Sequence, residues 1–138
     1  LEAMSQIIKM QYYIAACSND AMQHAILAAM EHASDYPDKL AAEFQKRCDL
    51  IVDRLNAMPG VECHKPKGAI YVFPKVDVPN MSSEELALEL LKDGVLCSPG
   101  SAFGPSGEGH LRFAYTISQE DISRGMDKVE KTLKRLQS

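Results

Sequence analysis

Residues 94–116 read GVLCSPGSAFGPSGEGHLRFAYT, a stretch in which two apolar runs flank a long glycine-rich segment. The apolar residues 95–97 and the alternating residues 110–116 each predict a short strand. Residues 98–109 contain four glycines and predict the loop that joins these strands. The stretch therefore predicts one strand-loop-strand unit of a small sheet.

Helices are predicted on both sides of this unit. The clearest follows Pro37, which suits a first helical turn, and ends at Pro59-Gly60. Ser82 and Glu85 form a capping-box motif for a later helix that ends at Asp93-Gly94, and Ser118 caps a last helix. Each of these three helices has an apolar face: Leu40, Phe44, Cys48, Ile51, Leu55 and Met58 in the first; Leu86, Leu90 and Leu91 in the second; Ile122, Met126, Val129, Leu133 and Leu136 in the last. In the first and last helices these residues recur at intervals of three and four.

The remaining segments complete the predicted fold. Residues 1–16 and 18–33 have helical apolar spacing, and residues 61–64 and 69–74 predict strands. Tyr71 and Phe73 share one side of the second strand and are predicted to be core residues. We therefore expect an α/β fold of the α+β type: a small mixed, largely antiparallel sheet packed against helices and preceded by a long interdomain helix.

Composition excludes several classes of function. The chain has 138 residues, 46% of them hydrophobic, and a net charge of −4 with its basic residues scattered. Scattered basic residues argue against nucleic acid as a partner, because phosphate binding needs a concentrated basic face. No apolar run approaches the 18 residues or so of a membrane span, and no secretory leader is expected. The four cysteines lie far apart, which predicts free thiols in a reducing cytoplasm and no metal site.

Arg112 is the first candidate binding residue. Strand alternation directs Leu111, Phe113 and Tyr115 to one face and leaves Arg112 beside the small Ala114 on the other. A guanidinium next to open space suits the bidentate capture of a carboxylate. From spacing alone, however, an arginine that is solvated or paired with Glu108 is the preferred interpretation.

Phe103 and Gly68 are the other candidates. The segment 98–109 lacks the phosphate-binding and dinucleotide-binding patterns, and on pattern alone it is a flexible connection between strands. Its length is nevertheless typical of functional loops, and Phe103 within it suggests a ring that packs over something. Gly68 precedes the aromatic strand and is, on pattern alone, a turn residue.

Three segments together resemble fold-type-I, class I/II aminotransferases. Residues 65–74, KPKGAIYVFP, are similar to the family's kPxGAFYxFP segment, and residues 94–114 are similar to its GVxxxPGxxFGxxGexxxRixxA segment. Residues 22–25 and 36–49 resemble the Q-x-A…Y-x-x-R-R-D run, with Lys46-Arg47 where two arginines are common. The resemblance covers nearly the whole chain, with the three segments in the family's order.

The resemblance implies a function and a role for each candidate. Arg112 matches the arginine that binds the substrate's α-carboxylate, Phe103 an aromatic residue near the substrate, and Gly68 a glycine at the edge of that site. Residues 1–34 would be the tail of the large domain that binds pyridoxal phosphate, and residues 35–138 the small domain. The parent would be a cytoplasmic, homodimeric enzyme that transfers an amino group between an amino acid and a 2-oxo acid.

The chain itself is expected to be inactive. The family's Schiff-base lysine lies in a Ser-Lys segment followed by Gly-x-Arg, upstream of the matched region, and no lysine here has that setting. No catalytic, cofactor-binding or metal-binding residue is therefore expected in this chain. Two alternatives remain open: an amino-acid-sensing domain of a transcription regulator, and a free-standing module that binds small carboxylates. The sequence does not show which amino acid is the donor.

Overall fold

The structure is a computed structural model that describes residues 2–15 and 17–137. The chain divides after Lys39 into two compact units. In the first unit, helix α1 spans Glu2–Ile14 and helix α2 spans Asp20–His32. Asn19 caps α2, because its side-chain oxygen accepts a hydrogen bond of 3.3 Å from the Met22 amide. Both predicted helices are confirmed, and neither contains a buried residue.

The second unit is a small α+β fold. Its elements are α3 (Tyr36–Asn56, which begins before the division), β1 (Val61–Glu62), β2 (Tyr71–Val72), β3 (Lys75–Val76), α4 (Ser83–Lys92), β4 (Ser98–Pro99), β5 (Leu111–Ala114) and α5 (Gln119–Leu136). Strands β2, β5 and β4 form a three-stranded sheet in that order, and β1 and β3 form a two-stranded sheet. Every described pairing is antiparallel, so the predicted small, largely antiparallel sheet with helices is confirmed.

The helical periodicity correctly predicts most of the core. Apolar residues from α3, α4, β5 and α5 form one buried cluster, and Leu55 and Leu90 have no exposed surface. The capping box of α4 is present, with Ser82 and Glu85 each accepting a hydrogen bond from the other's amide. The prediction that Leu91 is buried is wrong, because the buried face of α4 contains Ser83, Leu86, Ala87 and Leu90, and Leu91 lies outside it.

The strand predicted at residues 95–97 lies later in the chain, at Ser98–Pro99. The residues that pair with β5 are Ser98 and Pro99, which stand opposite Arg112 and Leu111. Val95 is buried, but Leu96 is 83% exposed and takes no part in a ladder. The apolar run therefore marks residues that flank the strand.

The glycine-rich segment after β4 is folded into two short 3-10 helices, Gly100–Phe103 and Pro105–Gly107. The backbones of Gly100 and Gly107 touch, so that a Cβ atom on either glycine would collide with the other residue's carbonyl oxygen. The Gly100 amide also donates a hydrogen bond of 2.8 Å to the His110 carbonyl. The expectation of a flexible connection therefore misses the regular structure of this segment.

Free thiols are found at all four cysteines, as predicted, and Cys48 and Cys63 are buried. Burial raises the pKa of the Cys63 thiol, and that of the half-buried Cys97 thiol, to about 11, which disfavours the reactive thiolate. In residues 2–15 and 17–137 no group of three or more metal-ligating side chains is present. No helix in the described part of the chain has the length and apolar character needed to cross a membrane.

We predict that the close contact of Gly100 with Gly107 makes Gly100 irreplaceable. Gly100→Ala should lower the free energy of unfolding by about 2 kcal/mol or more, because the new methyl group overlaps backbone that has no room to move. The matched control is Gly125→Ala in α5, where a Cβ atom would meet nothing within 4 Å. That change should raise stability by about 0.5–1 kcal/mol. Urea denaturation of both variants measures the difference, and equal stabilities would contradict the packing described here.

Candidate functional site

Strand β5 places Arg112 on the face of the sheet opposite the core. Leu111, Phe113 and Tyr115 are buried on the core face, and Arg112 is half-buried on the other, as the alternation predicts. Across the ladder, Ala114 stands opposite Tyr71 and Arg112 opposite Ser98. The neighbouring strands therefore supply the side chains that surround the guanidinium.

The Arg112 guanidinium lies close to two aromatic rings. Its Cζ atom is 4.5 Å from the centroid of the Tyr71 ring and 4.7 Å from that of Phe103. Both distances are within the range of a cation–π interaction, which favours a positive charge over an aromatic face. These contacts fix the guanidinium without using its N–H groups.

Arg112 has little other polar support. One Nη atom donates a hydrogen bond of 3.2 Å to the Ser98 hydroxyl. No carboxylate of the described residues pairs with Arg112, whereas Arg47, Arg54, Arg124 and Arg135 each have an acidic partner. A guanidinium offers five N–H donors, so several remain to bind a ligand. Neither pairing with Glu108 nor a simple solvated position describes this arginine.

The prediction that Tyr71 and Phe73 are core residues is wrong. Both rings are about two-fifths exposed, at 40% and 41%, whereas Val72 between them is 1% exposed. Strand alternation gives the core face of β2 to Val72 and directs the aromatic side chains to the face that carries Arg112. The short run of β-branched and aromatic residues does not show which face of β2 is the core face. The pairing of β2 with β5 decides it, because it brings Tyr71 to the side of Arg112.

Phe103 belongs to a cluster of three rings in which Phe73 contacts both of the others. The Phe73 ring meets Phe103 edge to face at 5.8 Å, and it stacks on the His110 ring at 5.1 Å and 9°. Offset and edge-to-face ring pairs stabilise one another beyond the area they bury. Sequence reasoning did not identify Phe73 or His110 as part of the site. The signal was available, because His110 shares a strand face with Arg112.

Glu108 connects the glycine-rich segment to the start of α4. Its carboxylate accepts hydrogen bonds of 2.6 and 3.0 Å from the amide and hydroxyl of Ser83, and one of 3.1 Å from the Gly109 amide. The two backbone amides, that of Ser83 foremost, hold the pKa of the Glu108 carboxyl below its ordinary value. The Ser83 hydroxyl also accepts a hydrogen bond of 3.2 Å from the Ser101 amide. This network holds in place the segment that carries Phe103.

Gly68 lies in a different environment from Arg112. It lines a cavity of about 200 Å³ with Ala69, Tyr115 and residues of α3, and a Cβ atom at Gly68 would meet nothing within 4 Å. Of the three predicted site residues, the structure brings Arg112 and Phe103 into contact, whereas Gly68 lines a cavity that neither of them lines. A larger cleft of about 540 Å³ beside α5 is lined by none of the three.

Comparison with known proteins gives a consistent set of relatives. Aromatic-amino-acid aminotransferase 2 of Thermococcus litoralis is 35% identical over 134 residues, which are 95% of this chain and 34% of that protein. The aspartate aminotransferase of Pyrococcus abyssi is 34% identical over 134 residues, which are 95% of this chain and 34% of that protein. No family model matches the chain.

Solved structures agree with these relatives. An alanine aminotransferase from Pyrococcus furiosus has a TM-score of 0.83 at 34% identity, covering 97% of this chain and 34% of that one. The aspartate aminotransferase of Rhizobium meliloti has a TM-score of 0.84 at 27% identity, covering 98% of this chain and 36% of that one. The fold of this chain is therefore that of a part of an aminotransferase.

Homologues that are 33–35% identical along the chain are aspartate and aromatic aminotransferases of fold type I. The chain spans about a third of the length of the relatives it matches, which is consistent with a C-terminal fragment. The resemblance expected from the three sequence segments is thereby confirmed.

We predict that the stabilisation supplied by Glu108 depends on pH. Because the pKa of this carboxyl is lowered in the folded state, its contribution is complete above the unfolded-state pKa and is lost as the pH falls through the folded-state pKa. The stability difference between the wild type and Glu108→Gln should therefore shrink between about pH 6 and pH 3. Denaturation at a series of pH values measures it.

The control for this experiment is Glu84→Gln. Glu84 lies in the first turn of α4, but its side chain makes no hydrogen bond or ion pair with any residue the structure describes. Its replacement should cost less stability than that of Glu108 at neutral pH. A Glu108→Gln effect that is the same at every pH would contradict the role of the carboxylate.

Proposed function

We propose that the chain is the C-terminal part of a pyridoxal-phosphate-dependent aminotransferase and that Arg112 binds the α-carboxylate of its substrate. The observation that carries this proposal is the position of Arg112, held between two rings with no carboxylate partner in the described residues. The kinship with aminotransferases supports the class of reaction. The parent protein would transfer an amino group between an amino acid and a 2-oxo acid.

The geometry of Arg112 suits this task for two physical reasons. A guanidinium presents parallel N–H donors that match the two oxygens of a carboxylate, so one residue fixes both position and orientation. Fixing the carboxylate at one end of a small substrate also restricts how its reacting carbon can be placed. The Tyr71 and Phe103 rings hold the cation while leaving those donors free.

Phe103 and Gly68 have proposed roles beside Arg112. We assign Phe103 to the wall of the substrate site, since its ring is 52% exposed although it contacts both Arg112 and Phe73. Gly68 would lie at the edge of the site, where the absence of a side chain leaves room for the substrate or for another part of the parent protein.

The described residues do not by themselves fit pyridoxal phosphate. That cofactor requires donors for a phosphate, a partner for its ring nitrogen and a lysine for its aldehyde. The polar donors recorded around Arg112 are those of Arg112 and Ser98, which suit a carboxylate and no more. We therefore place the cofactor in the large domain of the parent and expect this chain alone to be inactive.

Residues 1–34 would be the tail of that large domain, and residues 35–138 the small domain. Helices α1 and α2 support this division, because neither has a buried residue although both are rich in large apolar side chains. Ile7, Met10, Met22 and Met30 are each more than half exposed, as expected of helices that pack against a further surface. A cytoplasmic location and a homodimeric parent belong to the same proposal.

We predict that Arg112→Ala in the full-length protein lowers kcat/KM for amino-acid donors by the equivalent of about 2–5 kcal/mol, because the substrate carboxylate loses its charged partner. L-aspartate, L-alanine and L-phenylalanine, each with 2-oxoglutarate, form a suitable panel of substrates. Arg112→Lys should restore only part of the activity, since lysine keeps the charge but not the paired donors.

The matched control is Arg124→Ala, which removes an exposed arginine that pairs with Asp121 on its own helix. It should leave the kinetics unchanged. Wild-type kcat and KM in Arg112→Ala would show that Arg112 is a structural residue. Amino-acid binding without turnover by the wild-type protein would favour the sensor or the carboxylate-binding module instead.

A further inference from the structure

Ala69 has a backbone conformation that is unusual for its residue type. Its φ angle is +65°, in the left-handed region that costs free energy for any residue with a Cβ atom. Asn80 is the other non-glycine residue with positive φ in residues 2–15 and 17–137, and asparagine tolerates this region well. Ala69 therefore needs an external interaction that holds it in place.

Tyr115 provides that interaction. Its hydroxyl donates a hydrogen bond of 2.9 Å to the Ala69 carbonyl, and its amide donates one of 3.1 Å to the Ile70 carbonyl. The side chain is 2% exposed and packs against the Phe44 ring at 6.2 Å, so the hydroxyl has a fixed position. Burial raises the pKa of Tyr115 to about 12, and the hydroxyl therefore stays a donor at physiological pH.

The segment that Tyr115 holds leads directly to the Arg112 site. Two residues after Ala69, Tyr71 pairs with Ala114 of β5 and places its ring 4.5 Å from the Arg112 guanidinium. Tyr115 directly follows Ala114, the last residue of β5, and its side chain is buried on the core side. Strand β5 thus carries Arg112 on one face, and the residue directly after the strand fixes the start of β2 from the core side.

We propose that Tyr115 is a positioning residue for carboxylate binding, which acts through Ala69 to hold the Tyr71 ring against Arg112. Without the hydroxyl, a return of Ala69 to negative φ lowers the free energy of the chain. This rotation displaces the backbone that leads into Tyr71. Arg112 then loses one of its two rings and its fixed orientation. This proposal rests on the proposed function, because it assumes that Arg112 binds a carboxylate.

Tyr115→Phe in the full-length protein tests the proposal, since it removes the hydroxyl and keeps the ring. We expect kcat/KM for the same donor panel to fall about fivefold, and the inhibition constant of propionate to rise by a similar factor, the usual effect of one lost hydrogen bond. Ala69→Gly should restore most of the loss in the double variant, because glycine adopts positive φ without the hydroxyl. Tyr36→Phe, at an exposed tyrosine, is the control and should behave as the wild type.

A second variant tests the proposal without changing Tyr115. Ala69→Val raises the free-energy cost of positive φ and should weaken propionate inhibition in the same way, which keeps the test available if Tyr115→Phe does not fold.

The proposal is overturned if Tyr115→Phe lowers the unfolding midpoint but leaves propionate inhibition at the wild-type value. It is also overturned if Ala69→Gly restores none of the lost affinity. If Arg112→Ala also binds propionate normally, the proposed function fails as well; if only Arg112→Ala loses binding, this inference alone fails.

Discussion

The Arg112 guanidinium lies between two aromatic rings and pairs with no carboxylate of residues 2–15 and 17–137, and the other features of the site depend on this arrangement. A cation that is partly removed from water loses hydration, and ring faces offset only part of that loss. An anion that enters the site therefore gains both a charged partner and prealigned donors. We therefore propose that an anion binds next to Arg112, and a carboxylate matches the geometry of its donors.

The surroundings of Arg112 are ordered by two separate sets of contacts. On one side, the Glu108–Ser83 hydrogen bonds and the Gly100–Gly107 backbone contact fold the segment that carries Phe103. On the other side, the pairing of β2 with β5 brings in the Tyr71 ring. Both sets join the site to the buried core, so the rings are supported by the same packing that stabilises the domain.

Much of this could be predicted from the sequence, and the exceptions have physical causes. Helical periodicity identified the core faces of α3 and α5, and β-alternation placed Arg112 opposite Leu111 and Phe113, because both patterns are local. The roles of Tyr71 and Phe73 depend on which strand lies beside β2, and residue type does not encode that pairing. The Glu108–Ser83 contact joins residues 25 positions apart, and for the same reason it could not be predicted.

The most direct test of this account is a crystal structure of the full-length protein with bound propionate. We expect both carboxylate oxygens to lie about 2.7–2.9 Å from nitrogen atoms of the Arg112 guanidinium, as in other bidentate pairs. The Tyr71 and Phe103 rings should still flank the cation. A carboxylate bound elsewhere, with Arg112 directed into solvent or paired with an acidic residue of the protein, would contradict the account.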